Sequence, residues 1–163
     1  MLTDCHSGKK VPVLFQKLSS MDISRYKITK SNGWLFNWRD PIREGYELHG
    51  LFAQNDLDKV QGVIALKPNF DPAYQLVHVQ LVEAAPHNKS NYPSRGYSGV
   101  GLHLIAYACY LSFTYELDGY VYLKSKSSML PYYEKIGAIV LHGTEVYFNT
   151  QAALKLVQTY IRL

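Results

Sequence analysis

Two hydrophobic periods run along this chain. In residues 74–83 (YQLVHVQLVE), Val77, Val79 and Leu81 alternate with His78 and Gln80, which predicts a strand with two distinct faces. Residues 46–54 and 59–66 are rich in β-formers, and the turn-prone 55–58 between them predicts a hairpin. Pro68, Asn69, Asp71 and Pro72 end the second of these strands. Residues 11–17 predict a first strand. Residues 19–32 are polar and show no period, 34–38 (WLFNW) fit a short strand or a packed loop, and 39–45 read as a turn. From Gly99 the period changes: Val100, Leu104, Ala108, Leu111 and Tyr115 recur every three or four residues, as on a helix. A short strand at 119–123 follows. Residues 127–137 then read as a helix capped by serine and closed by Gly137, with Pro131 in its tolerant first turn. Residues 138–142 and 145–149 predict two strands about Gly143–Thr144. Asn149 is placed to cap a last helix striped by Ala152, Ala153, Leu156, Val157, Tyr160 and Ile161. Strands, long helix, strand, helix, two strands and helix make a mixed α/β (α+β) chain with a meandering sheet first and crossovers later.

Composition narrows the class. The 163 residues suit one domain, with no internal repeat or linker, and 47% hydrophobic content excludes a disordered chain. The net charge of +4 is mild. Lys9, Lys10, Lys17, Arg25, Lys27 and Lys30 crowd the first thirty residues, but no basic run is long enough to argue for a membrane, and nucleic acid ranks last among partners. The two cysteines lack CxxC spacing: Cys109 falls on the helical face expected to be buried, and Cys5 in an end expected to be mobile. No leader-like segment or apolar run of 18 residues is seen, so a soluble cytoplasmic protein is the expectation. His49, His87 and His103 are scattered, and no metal spacing is found.

The candidate chemistry sits in residues 94–104 (SRGYSGVGLHL), where Gly96, Gly99 and Gly101 precede the long helix and Arg95 stands before them. A helix start presents unpaired N–H groups and partial positive charge, and glycines let a ligand approach the backbone closely. The pattern therefore suits an anion such as a pyrophosphate. No GK[ST] follows the glycines, which excludes a nucleotide P-loop, and their order is not GxGxxG, which disfavours a dinucleotide fold.

Strand, loop, glycines, helix, strand and then 132–138 (YYEKIGA) resemble the GNAT superfamily of N-acetyltransferases over roughly residues 45–149. Gly99-Val100-Gly101 is similar to the G-x-G of its [Q/R]-x-x-G-x-[G/A] loop, with Gly96 where the family has Gln or Arg and Arg95 one residue away. Glu83-Ala84-Ala85-Pro86-His87-Asn88 resembles the E-x-x-P-x-N segment of one branch. The resemblance implies a mixed, mostly antiparallel central sheet flanked by helices, with acetyl-CoA as co-substrate. It implies that Arg95, Gly96, Tyr97, Ser98, Gly99, Val100, Gly101 and Leu102 hold the pyrophosphate. The backbone at Val82, Ala84 and Ala85 would then hold the pantetheine arm and polarise the thioester. Tyr133, with Tyr132 as second choice, matches the tyrosine that protonates the leaving thiolate. Glu83 is the expected general base, directly or through water, with His78 the other candidate on the opposite strand face.

The function expected is direct transfer of an acetyl group to a primary amine of a small molecule or peptide in a ternary complex. A non-catalytic acyl-CoA-binding module is the alternative. Trp34, Phe36, Trp38, Tyr46 and Phe52 would line the acceptor pocket or pack into the core. An exposed strand edge or the last helix could pair subunits into a homodimer.

Overall fold

The computed structural model describes residues 1–161. Two compact units are present: Met1–Ala65 with Leu81–Leu104, and Leu66–Gln80 with the chain from Ile105 onward. Ten strands and five α-helices lie among the described residues.

The first unit contains β1 (Leu2–Asp4), β2 (Lys10–Val11), β3 (Val13–Leu18), α1 (Ser20–Arg25), α2 (Arg39–Arg43) and β4 (Glu47–Ala53). It also holds the start of β5 (Asp56–Asn69), the end of β6 (Leu76–Ala84), β7 (Tyr97–Ser98) and the first turn of α3 (Val100–Thr114). Its strands lie in the order β3-β4-β5-β6, and β3 pairs antiparallel with β4 from Val13↔Ala53 to Leu18↔Leu48. The unbroken burial of 60–66 marks β5 as covered on both faces. The turn predicted at 55–58 is shorter than expected, because the strand already starts at Asp56. Trp38, Phe52, Leu48, Ile23 and Ile28 form the centre of the core, joined by Trp34 and, at its margin, Phe36 and Tyr46.

Three elements of this unit differ from expectation. The aperiodic 19–32 contains α1, which buries only Ile23, too little to make a period. Its start is set locally, by the Ser19 N–H donating to Asp22 Oδ2 at 2.8 Å. The turn expected at 39–45 contains the single-turn helix α2, which buries Pro41. The expectation of a mobile end at Cys5 is corrected: β1 pairs with β2 and β7, Leu2 is fully buried, and the Cys5 N–H donates to the Gly96 carbonyl at 2.8 Å. Cys5 itself is exposed.

The second unit holds the rest of β5, β6 and α3 with β8 (Val121–Lys124), α4 (Leu130–Lys135), β9 (Ile139–His142), β10 (Glu145–Phe148) and α5 (Thr150–Tyr160). Its strand order is β5-β6-β8-β10-β9. β6 and β8 are parallel, from Val77↔Val121 to Val79↔Leu123, and such a pair needs a long crossover, which α3 supplies. β10 is antiparallel to both β8 and β9. Residues 105–109 are all buried, Cys109 among them, as expected. The predicted cap of the last helix is present: Asn149 Oδ1 accepts from the Ala152 N–H at 3.0 Å. The serine cap predicted for the preceding helix is absent; Ser127–Met129 forms one 3₁₀ turn, and α4 starts after it with Pro131 in its first turn.

β5 and β6 run through both units. The architecture is thus a mixed, mostly antiparallel sheet flanked by helices, as the resemblance implies. No helix among the described residues is long and apolar enough to cross a membrane.

Candidate active site

The end of β6 is held by a buried carboxylate. Glu83 is 5% exposed, and both of its oxygens are occupied. Oε2 accepts from the Leu35 N–H at 2.6 Å and the Lys89 ammonium at 2.6 Å. Oε1 accepts from Trp38 Nε1–H at 3.0 Å and the Phe36 N–H at 3.3 Å. A carboxylate offers about four acceptor positions, and these four donors fill them. The aromatic stretch 34–38, ambiguous in the sequence, is therefore a packed loop folded around Glu83. Val82 and Ala84 are half-buried on either side, and Ala85 is buried with its N–H donating to the Gln61 carbonyl at 2.9 Å.

The loop after β6 is held by a second buried group, Asn88. Its Nδ2 donates to the Gln61 carbonyl at 3.0 Å and to Gln61 Oε1 at 2.8 Å, while its Oδ1 accepts from the Tyr97 N–H at 2.8 Å. This network orients both amides and thereby fixes His87. Gln61 Oε1 is an acceptor, so His87 Nε2, 2.8 Å away, carries the proton, and Nδ1 is left as an acceptor. Burial, helped by the charge of Lys59, pulls the His87 pKa down to about 4, so the ring is neutral near pH 7.

The residues predicted for the pyrophosphate divide into two groups. Arg95 Nε–H donates to the Asn88 carbonyl at 2.9 Å, and the Gly96 N–H donates to the His87 carbonyl at 2.8 Å. With the Tyr97 amide on Asn88, these donors serve the loop itself. Gly96 is required for packing: a Cβ there would lie 2.8 Å from Asn88 Oδ1. Tyr97 and Ser98 form β7 against Asp4 and Thr3 of β1. The second group is Gly99, Val100, Gly101 and Leu102. Gly99 has φ +89, a conformation costly for other residues. Its carbonyl accepts from the His103 N–H at 3.1 Å, the first bond of the helical ladder, and lies 2.6 Å from His103 Nδ1. The N–H groups of Val100, Gly101 and Leu102 precede that bond and have no helical acceptor. A Cβ at Gly101 would meet nothing within 4 Å, so the backbone faces open space there. At Gly62 a Cβ would lie 2.5 Å from Val100 Cγ1, so the glycine in β5 lets this first turn pack closely on the strand.

A cleft of about 490 Å³ lies beside the end of β6, with Ala85, Pro86 and His87 in its lining. Trp34, Tyr26 and Tyr92 supply aromatic walls. Of the five aromatic residues considered for a pocket, Trp34 alone lines this one; Trp38 and Phe52 are core. The fold brings to the cleft Lys27, in the sequence one of a basic crowd, His87, one of the scattered histidines, and Lys59, which carries no signal there. The one signal for this region was Gln61, a polar residue inside the apolar run of β5.

In the second unit, Tyr133 of α4 is buried at 7% exposure, and Tyr132 packs edge-on against it at 5.5 Å between ring centroids. Its hydroxyl forms no hydrogen bond with another described residue. Burial first, and the neighbouring Tyr132 second, push its pKa up to about 12, so it stays protonated. His78 packs against Tyr122 at 5.3 Å, and burial lowers its pKa.

Solved proteins superpose on this chain over most of its length. The AtaT toxin bound to the C-terminus of the antitoxin AtaR and acetyl-CoA superposes with a TM-score of 0.62 at 16% identity, over 88% of this chain and 97% of that one. This is the fold of the GNAT acetyltransferases. The KacTA–DNA complex gives a TM-score of 0.63 at 12% identity, over 91% of this chain and 99% of that one. A protein of Exiguobacterium sp. 255-15, named an acetyltransferase, gives 0.57 at 14% identity, over 88% and 97%. No protein-family model matches the chain, and no curated protein matches it. One expectation is corrected by these neighbours. Nucleic acid ranked last among partners, yet the AtaT–AtaR complex and KacTA are both solved with DNA, and AtaT also with its antitoxin, so GNAT-fold proteins do enter protein and nucleic-acid assemblies.

Proposed function

We propose that the chain transfers an acetyl group from acetyl-CoA to an amine. One observation carries the reading: in a chain of this fold, the N–H groups of Val100, Gly101 and Leu102 at the start of α3 have no helical acceptor, and a Cβ at Gly101 would meet nothing within 4 Å. The residues present fit the cofactor's pyrophosphate there, held by Val100, Gly101 and Leu102 with Gly99 shaping the turn. Arg95, Gly96 and Tyr97 support that loop from within. Bound acetyl-CoA supplies an activated thioester acyl group.

The chain's own residues then have separate tasks. The backbone at Val82, Ala84 and Ala85 orients the pantetheine arm. His87 Nδ1 accepts a hydrogen bond from the amine and aligns its lone pair; a pKa of about 4 makes it a weak base, so water carries the proton away. The amine nitrogen forms the new C–N bond, the C–S bond breaks, and Tyr133 gives its phenolic proton to the departing sulfur. Glu83, whose acceptor positions are filled, is a positioning residue that shapes the 34–38 loop.

Calorimetric titration with acetyl-CoA, alongside a Gly99→Asp variant, tests the reading. Low-micromolar binding by the wild type and at least a tenfold loss in a folded variant are expected. A folded wild type that does not bind millimolar acetyl-CoA would overturn it.

A further inference from the structure

The cleft beside β6 carries charges that acetyl transfer alone does not require. Arg25, Lys27 and Lys59 are among its lining residues, with Asp58 the one carboxylate among the described lining residues and Asp56 close enough to act on His87. Elsewhere in the same unit Lys17 pairs with Glu47, Arg43 with Asp40 and Lys89 with Glu83, while Lys9, Lys10, Lys30, Arg39 and Arg95 form no ion pair with a described carboxylate. The three cleft cations form no ion pair with a described carboxylate. Arg25 is seated over the Tyr26 ring, 5.2 Å from its centroid, a contact that orients the guanidinium without neutralising it.

Lys27 is placed by the end of α1. Its backbone has φ +56, in the left-handed region that glycine or asparagine occupies at less cost. The chain keeps a lysine there, between Arg25 and the cleft's aromatic walls. The left-handed turn closes α1: Lys27 follows its C-cap Tyr26, and the Ile28 N–H donates to the Ile23 carbonyl at 2.9 Å, which sets the lysine at the edge of the cleft.

We propose that this cleft is the acceptor site and that its acceptor is an amine that also carries an oxyanion, a phosphate or a carboxylate. Lys27, Lys59 and Arg25 hold the oxyanion, and the amino group meets the end of β6 at Ala85–His87. The inference rests on the acetyl-transfer reading and names the acceptor class for the same site. The same three charges repel a polycation such as a diamine.

The test measures CoA release with four small amines: 2-aminoethyl phosphate, β-alanine, ethanolamine and putrescine. The expected result is at least tenfold higher kcat/KM for one or both anionic amines than for ethanolamine, with putrescine lowest. The better of the two anions identifies the oxyanion. In Lys27→Gly, which relaxes the backbone and so preserves folding, and in Lys59→Ala, the preference should fall at least fivefold while KM for acetyl-CoA stays constant. Equal or better use of ethanolamine or putrescine, or a preference that survives in the double variant, overturns the acceptor class and leaves acetyl transfer standing. Failure of acetyl-CoA to bind overturns both.

Discussion

Glu83 and Tyr133 are both buried polar side chains that the sequence marks for proton transfer, and the fold treats them in opposite ways. Glu83 lies under four donors: two backbone amides, an indole and an ammonium. Tyr133 keeps a protonated hydroxyl with no hydrogen bond to another described residue. Burial of a polar group costs free energy unless it is bonded, and among the described residues no fully buried side-chain polar atom lacks a partner, so the unbonded Tyr133 hydroxyl reaches solvent. At Glu83 the protein returns that cost through its own hydrogen bonds, which supports the positioning role proposed for it. At Tyr133 the protein supplies no partner, and the hydroxyl is left to solvent. The difference teaches that burial alone does not mark a reacting group; what separates the two roles is whether the protein itself fills the bonding positions.

The largest effect that could break this comparison is on stability. Glu83→Ala would strand Trp38 Nε1–H, two amides and the Lys89 charge, and should cost about 3–5 kcal/mol, read as a lower urea midpoint. A stable but inactive Glu83→Ala would return the residue to the role of base. Next is Tyr133→Phe. With no protein bond to lose, it should change stability by less than about 0.5 kcal/mol, leave acetyl-CoA affinity intact and lower kcat about 10²-fold or more. Parallel melting, calorimetry and turnover measurements decide this; a large loss of stability with normal turnover would place the hydroxyl in the fold instead.

The smallest effect sharpens the comparison at His87, where one ring nitrogen is committed to Gln61 and the other is not. Its folded pKa is about 4 against an ordinary 6.5. Between those values the unfolded chain binds a proton that the folded chain does not, so stability falls as pH drops through that window. His49, His78 and His103 are shifted in the same direction by burial and steepen the fall. His87→Asn should flatten part of the decline, measured as the difference between urea midpoints at pH 7.5 and 4.5. An unchanged difference would show that His87 titrates normally.

Where hydrophobic pattern and local chemistry agree over many residues, the sequence alone determined the outcome. The alternation in β6, the long period of α3, the Asn149 cap and the glycines before α3 are written in neighbouring residues. They led to the mixed α/β order of strands and helices and to the turn before α3 as the candidate anion site. The short helices α1 and α2 escaped because one buried residue each makes no period. β1 escaped because a three-residue strand is defined only by its partners, one of which lies more than ninety residues away in the chain. The roles of Glu83, Gly96 and Arg95, and the basic cleft, were decided by tertiary structure alone. A letter in the sequence shows which bonds a side chain can make, but only the folded surroundings show whether the protein has already made them.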